Sequence, residues 1–142
     1  MERQRTSYGW VLRIDAGEEL LETLRAFAVE HDVRAGALSG IGAVGEAELG
    51  FFVRESRTYV RRVFRGEHEI LSLLGNLSML DGRPFAHCHL TLAGRDFVAH
   101  GGHLFRAVVS VTCEVHVVTS PEAIVRASRP DLGYHPLAPN GL

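Results

Sequence analysis

Pro84-Phe-Ala-His87-Cys-His89-Leu-Thr-Leu-Ala-Gly-Arg-Asp-Phe-Val-Ala-His100-Gly-Gly-His103-Leu104 is the stretch on which the reading of the fold turns. Side chains of a β-strand point alternately to its two faces. Ala86, Cys88, Leu90 and Leu92 therefore share one apolar face, and His87, His89 and Thr91 share the other. Gly94-Arg95 interrupts the run, and a second strand carries His100 and His103. The pattern predicts an antiparallel hairpin over about Phe85 to Leu104. With its turn centred on Gly94-Arg95, Thr91 faces Val98, His89 faces His100 and His87 faces Gly102. Such partners have Cβ atoms only ~4.5–5.5 Å apart. A bulge at Gly101-Gly102, which glycine permits, then brings His103 beside His87.

Outward from the hairpin, Ala107 to Val118 alternates cleanly. Ala107, Val109, Val111, Cys113, Val115 and Val117 face one way, and Ser110, Thr112, Glu114 and His116 the other. That is a sheet strand with one apolar face. Upstream, Glu67 to Met79 reads as a strand bent at Gly75 and closed by a turn at Asp81-Gly82. Thr58 to Phe64 is a further strand, and Tyr8 to Ile14 is the first, with Trp10, Leu12 and Ile14 on one face. Asp15-Ala-Gly-Glu18 has capping-box spacing. The stripe Leu20, Leu21, Leu24, Phe27 and Ala28 predicts a helix from about Gly17 to His31. Gly36 to Ser39 is a short strand, followed by a glycine-rich turn over Gly40 to Gly45 and a strand from Glu46. A short helix is expected from Pro121, and an irregular tail from Arg129. Strands greatly outnumber helices, which gives an α+β class with a mostly antiparallel sheet and a helix after the first strand. The expected organisation is one domain over residues 1–142, with about 121–142 as a C-terminal extension.

Composition narrows the function classes. The 142 residues are 46% hydrophobic and 23% charged, the range of an ordinary globular domain. No run of ~18 apolar residues offers a membrane span. The charged start, Met1-Glu-Arg-Gln-Arg-Thr6, lacks an apolar signal core, so a cytoplasmic location is the default expectation. A net charge of −2 argues against a protein whose affinity comes from neutralising phosphates. Arg54, Arg57, Arg61, Arg62 and Arg65 form a local basic stretch, read as a solvated edge or hairpin. Cys88 and Cys113 both sit on apolar strand faces and read as buried free thiols. Gly40-Ile-Gly42-Ala-Val-Gly45 matches a dinucleotide-binding pattern literally. That pattern requires a helix to start there, whereas Glu46 to Val53 looks like a strand, so the match is rejected.

The histidines carry the functional reading. His87, His89 and His103 can form a three-nitrogen site, with His100 next to it as a rival ligand or as a group that hydrogen-bonds a ligand from outside. Neutral imidazoles favour zinc, iron, nickel or copper over magnesium or calcium. Three histidines without a thiolate leave a position open for water or substrate, as in catalytic zinc sites. Cys88 faces the other way and is excluded. The same pattern also suits a polar strand face in water, or hydrogen bonds between subunits. Glu114, on the polar face of the next strand, is the candidate carboxylate for acid–base work or ligand orientation. Glu69 is a similar one, each of the two also suiting a solvated strand carboxylate, and His31, His68 and His135 have no spacing argument.

Taken together, Ser39-Gly-Ile-Gly-Ala43, Glu69-Ile-Leu-Ser-Leu73, Gly75-Asn-Leu-Ser78, Asp81-Gly-Arg-Pro84, His87-Cys-His89 and Gly101-Gly-His-Leu104 resemble the plants-and-prokaryotes conserved (PPC) domain family, from about Trp10 to Val118. The resemblance implies an α/β fold around an antiparallel sheet, a homotrimer, and a metal site falling on His87, His89 and His103; the donor type makes zinc or another divalent transition metal the expected cofactor. It assigns no role to His100. Plant relatives pair this domain with a DNA-binding AT-hook. The hook's Arg-Gly-Arg-Pro core is missing, because Asp81-Gly-Arg-Pro84 lacks its first arginine, so DNA binding is not carried over. The arrangement is also similar to acetolactate decarboxylase, a zinc enzyme, but a shared fold does not transfer a reaction. Three functions follow as candidates: a trimeric metal-binding domain open to a small-molecule ligand, with or without catalysis; a DNA-associated regulatory protein without an AT-hook; and an assembly module without chemistry.

Overall fold

The computed structural model describes residues 1–139. Its elements follow as β1 (Glu2–Thr6), β2 (Gly9–Asp15), α1 (Leu20–Glu30), β3 (Gly36–Val53), β4 (Thr58–Leu80), β5 (Arg83–Ala93) and β6 (Ala99–Thr119). These strands pair antiparallel in the order β1-β2-β6-β3-β4-β5, and β5 also pairs with β6. β3, β4, β5 and β6 thus close on one another, while β1 and β2 extend the sheet past β6. The class is α+β, with a mostly antiparallel sheet and one short helix after the first strands.

Alternation places the core. Ala86, Cys88, Leu90 and Leu92 of β5 are all buried, as are Leu104, Ala107 and Val109 of β6. α1 covers β5 and β6 with Leu20, Leu21, Leu24, Phe27 and Ala28. The stripe is the expected one, but the helix begins later than Gly17. Gly17 has φ +88 and gives its N–H to the Val109 carbonyl at 2.8 Å, while Val109 N–H donates to Glu18 O at 3.0 Å. Residues 17 and 18 are therefore tied to β6. Half of the expected capping box forms, with Glu18 accepting from the Asp15 amide at 2.8 Å. The Asp15 carboxylate instead pairs with Arg13, and Glu19 caps the helix by accepting from Glu22 N–H at 2.7 Å.

The expected turn at Gly40–Gly45 is not a turn. β3 runs through it with register shifts between Gly40 and Gly42 and between Val44 and Glu46. Gly42 has φ +156, and a Cβ there would meet the Thr112 carbonyl oxygen at 2.2 Å, so glycine lets the bulged strands approach. Opposite, β6 carries three residues against one of β3, which turns Val111 outward to 63% exposure and breaks the expected alternation. The two strands expected over Thr58–Phe64 and Glu67–Met79 are one, β4.

The histidine hairpin forms with a different register. Residues 94–98 make the loop: Phe97 N–H donates to Gly94 O at 3.0 Å, Asp96 accepts from Val98 N–H, and Phe97 adopts φ +60. The longer loop centres the hairpin on Asp96 and pairs Ala93 with Ala99, Leu92 with His100 and His89 with His103. No bulge is needed to bring in His103.

The expected helix after Pro121 is an extended strap. Arg126 N–H donates to Met79 O, and Met79 N–H to Ile124 O, each at 2.8 Å, which lays residues 124–126 parallel to the end of β4. The segment turns at residues 130–133 and returns beside itself, Ala138 N–H bonding Val125 O at 2.9 Å. The last part of the expected C-terminal extension, residues 140–142, lies outside the described residues. Among the described residues no helix is long and apolar enough to cross a membrane.

Candidate metal centre

His87 and His89 project from β5, and His103 projects from β6 directly across from His89. One ligand nitrogen from each ring lies within 4.8 Å of the others, and ring centroids are separated by 5.4, 5.0 and 5.4 Å. Nitrogens ~2.1 Å from one tetrahedral zinc ion stand roughly 3.4 Å apart, so modest side-chain rotation closes the trio on an ion. Two properties of the rings suit that use. His103 Nδ1 is buried without a hydrogen-bond partner. His87 and His103 are each pulled down to about 4, chiefly by burial and then by neighbouring positive groups, Arg126 for His87 and the other two histidines for His103. Both rings are therefore neutral near pH 7, the form that ligates metal.

The strands around the trio hold it in place. Gly75 of β4 pairs with Cys88, between the two β5 histidines, and a Cβ at Gly75 would lie 2.4 Å from the His87 carbonyl oxygen. Gly50 pairs with His103, and its missing Cβ leaves room for Phe105, which would otherwise be met at 2.5 Å. The rings of Phe105 and Tyr59 then pack on His103, with centroids at 4.8 and 5.0 Å. Cys88 points into the core, where burial pushes its thiol up to about 12.

A cavity of about 790 Å³ opens over the histidines. Aromatic walls come from Phe52, Tyr59, Phe85, Phe105 and Tyr134, and polar groups from Arg54, Asn76, Arg126 and His135. Arg126, only 6% exposed, comes from the strap. Its Nε donates to Ser78 Oγ at 2.8 Å, one terminal nitrogen to the His135 carbonyl at 2.6 Å, and the other to Asn76 Oδ1 at 2.7 Å and His87 Nδ1 at 3.2 Å. Burial lowers its pKa from the usual arginine value.

The other sequence candidates lie elsewhere. His100 stands opposite Leu92, with its ring 5.2 Å from Phe64 and away from the trio. Glu114 pairs with Arg13 and Ile41, and borders a shallow depression with Ser39 and His116. Glu69 is exposed opposite Ala93. The basic stretch is spread over separate tasks. Arg54 lines the cavity, Arg57 donates to Asp131 O in the strap, Arg61 covers Phe105 and pairs with Glu48, Arg62 covers Phe64, and Arg65 pairs with Glu46. Sequence reasoning missed Arg126, Tyr59, Phe105 and His135. One signal was present: Asn76 and Ser78 put two polar groups on one face of a leucine-rich strand, and such groups need a partner when buried. That partner is Arg126.

The chain matches the profile of the Plants and Prokaryotes Conserved (PCC) domain over residues 1–121. Among solved structures it is similar to a metal-containing protein of Archaeoglobus fulgidus, at 39% identity with 96% of each chain covered and a TM-score of 0.85. It is similar to a protein of Bacteroides thetaiotaomicron named as a candidate DNA-binding protein, at 31% identity with 98% and 97% covered and a TM-score of 0.93. It also resembles a plant- and prokaryote-conserved protein of Pyrococcus horikoshii, at 29% identity with 96% and 93% covered and a TM-score of 0.85. Acetolactate decarboxylase of Bacillus subtilis shares the fold at 18% identity and a TM-score of 0.54. No curated protein matches the chain significantly.

Proposed function

The chain belongs to the Plants and Prokaryotes Conserved (PCC) domain family, and from that membership we propose that it is a homotrimeric protein holding a divalent transition metal, zinc by donor type, through His87, His89 and His103, beside a cavity open to a small ligand. The observation that carries this reading is the convergence of one nitrogen from each of three rings within 4.8 Å, in a trio where His103 Nδ1 is also buried and unpartnered. An orphaned buried nitrogen costs about 1–3 kcal/mol unless something takes its lone pair or proton. All-imidazole donors suit zinc, and three of them leave a position for a ligand. The relative from Archaeoglobus, named as metal-containing, points the same way.

When bound, such an ion can polarise a carbonyl or activate water. The chain's own residues supply the setting. Aromatic side chains limit water, the strap closes one wall, and Gly75 and Gly50 fix where the rings stand. Exposed Ile41, Leu71 and Leu74 border one shallow depression, Leu74 being the β4 residue paired with His89, and offer an apolar surface for subunit contact. A trimer would run in sedimentation at three times the 15.6 kDa chain mass.

Two relatives are named as candidate DNA-binding proteins. The arginines of this chain do not favour that reading, because Arg61 and Arg65 are paired with glutamates and the net charge is −2. Cobalt added to chelator-stripped, untagged protein tests the metal reading. One equivalent per chain with a visible ligand-field spectrum, lost in His103→Ala and His89→Ala, is expected. Absence of uptake by the folded wild type overturns it.

A further inference from the structure

The buried guanidinium of Arg126 has no counter-ion among the described residues. Among the described residues no carboxylate lies within salt-bridge distance of it, and no Asp or Glu lines the cavity it borders. Its partners are all neutral: a hydroxyl, a carbonyl, an amide oxygen and an imidazole nitrogen. Buried charges are ordinarily paired, because an unpaired one is expensive to desolvate. Arg54 adds a second positive charge to the same cavity.

The contact with His87 makes the case specific. A guanidinium has only donors, so at 3.2 Å His87 Nδ1 must act as the acceptor. A neutral imidazole has one lone pair and one N–H. If a metal takes Nδ1, the lone pair is used. If it takes Nε2, Nδ1 carries the proton and can no longer accept. Either way, ligation by His87 removes that bond, and Arg126 is left with an unmatched N–H beside a newly arrived dication. The cavity is then strongly positive, walled by aromatic rings, and short of acceptors.

We propose that Arg126 anchors the carboxylate of a small organic acid with an apolar or aromatic body, one carboxylate oxygen facing the guanidinium and the other the open side of the three-histidine centre. This rests on the metal reading above. A carboxylate fits better than a phosphate, because one oxygen meets the N–H that Arg126 is left with, the other meets the open side of the centre, and most of the remaining wall is aromatic. A cavity of about 790 Å³ accommodates a molecule of that size. The anchor and the ion share one ligand, so each strengthens binding at the other by the same factor.

Phenylacetate, titrated calorimetrically into stripped and cobalt-loaded wild-type protein, tests the proposal. One site per chain is expected, with binding roughly tenfold or more tighter in the loaded form and a change in the cobalt spectrum. Arg126→Gln should weaken binding at least tenfold. If that variant loses the strap, Arg126→Lys keeps the charge without the planar fork and should still weaken binding severalfold. Benzyl alcohol, lacking the carboxylate, should bind far more weakly in the wild type. Phenylacetate binding that is undetectable in both forms, or equal in wild type and folded Arg126 variants, overturns the anchor. Failure to take up cobalt defeats the metal reading instead. In that event, phenylacetate binding by the stripped protein, lost in Arg126→Gln, still supports the anchor, and its absence overturns it.

Discussion

Gly75→Ala should damage stability and metal affinity together. A Cβ at this position would lie 2.4 Å from the His87 carbonyl oxygen, 2.8 Å from Cys88 Sγ and 3.0 Å from Cys88 Cα, where ordinary contact begins at 3.4 Å. The shortest of these is about 1 Å too close and involves backbone, which cannot swing aside, so β5 must move away from β4. Overpacking of this kind costs ~1–3 kcal/mol. The change gains back ~0.5–1 kcal/mol, because alanine loses less conformational freedom than glycine in a strand. A net loss of ~1–2 kcal/mol lowers Tm by roughly 3–6 °C in a chain of this size. His87 and His89 flank the displaced residue, whereas His103 is on β6, so the trio opens and cobalt affinity should fall roughly tenfold or more. Gly82→Ala is the control. Gly82 has φ +75 with nothing within 4 Å of an added Cβ, so strain of ~1 kcal/mol lowers Tm without moving a histidine. Thermal melts of the stripped proteins and cobalt titrations read both effects. Gly75→Ala with wild-type Tm and wild-type cobalt affinity would refute the role assigned to the close approach.

Four further outcomes are expected. Burial pushes Cys88 and Cys113 up to about 12, so in the folded protein both should resist iodoacetamide at pH 8 and react on unfolding. Since the unfolded thiols ionise near ~8.5–9 and the folded ones do not, stability is whole below that pH and drains as pH rises toward 12; an equal urea midpoint at pH 8 and pH 10.5 would contradict this. His87 and His103 are depressed to about 4, first by burial and then by neighbouring positive groups, against an unfolded value near ~6.5. The unfolded chain then binds protons that the folded metal-free chain does not, so stability is present above pH 6.5 and is lost as pH falls toward 4. The loss should be smaller in His103→Gln, and identical acid profiles would count against the assignment. Finally, a gel shift at low salt, where electrostatic binding is strongest, should show no retarded duplex DNA; a shift that weakens steeply with added salt would favour the nucleic-acid reading.

Much of the architecture was legible from local pattern. The α1 stripe from Leu20 to Ala28 and the apolar face of β5 follow from periods of 3.6 and 2, and both are buried as the pattern requires. What pattern could not supply was register. A loop centred on Asp96, with Phe97 in the left-handed region, shifts the hairpin pairing so that His103 meets His89 and His100 faces away; turn geometry of this kind is decided by a few backbone hydrogen bonds that a glycine-centred reading does not see. The Gly40–Gly45 run looked like a turn because glycine serves turns and bulges alike. Its bulges depend on β6, distant in sequence. The strap looked helical after Pro121 because its true partner, Met79, lies outside any local window. Arg126 was missed for the same reason: nothing near it in the chain signals a buried guanidinium, although Asn76 and Ser78 called for a partner.

Metal content of protein purified without a histidine tag, measured by elemental analysis in the wild type and in His87→Ala, bears most directly on the account. Close to one zinc or other transition-metal ion per chain in the wild type, falling severalfold in the variant, is the expected result. Less than ~0.2 ion per chain in both, with the variant no different from the wild type, would contradict it, since an open three-histidine zinc site should fill.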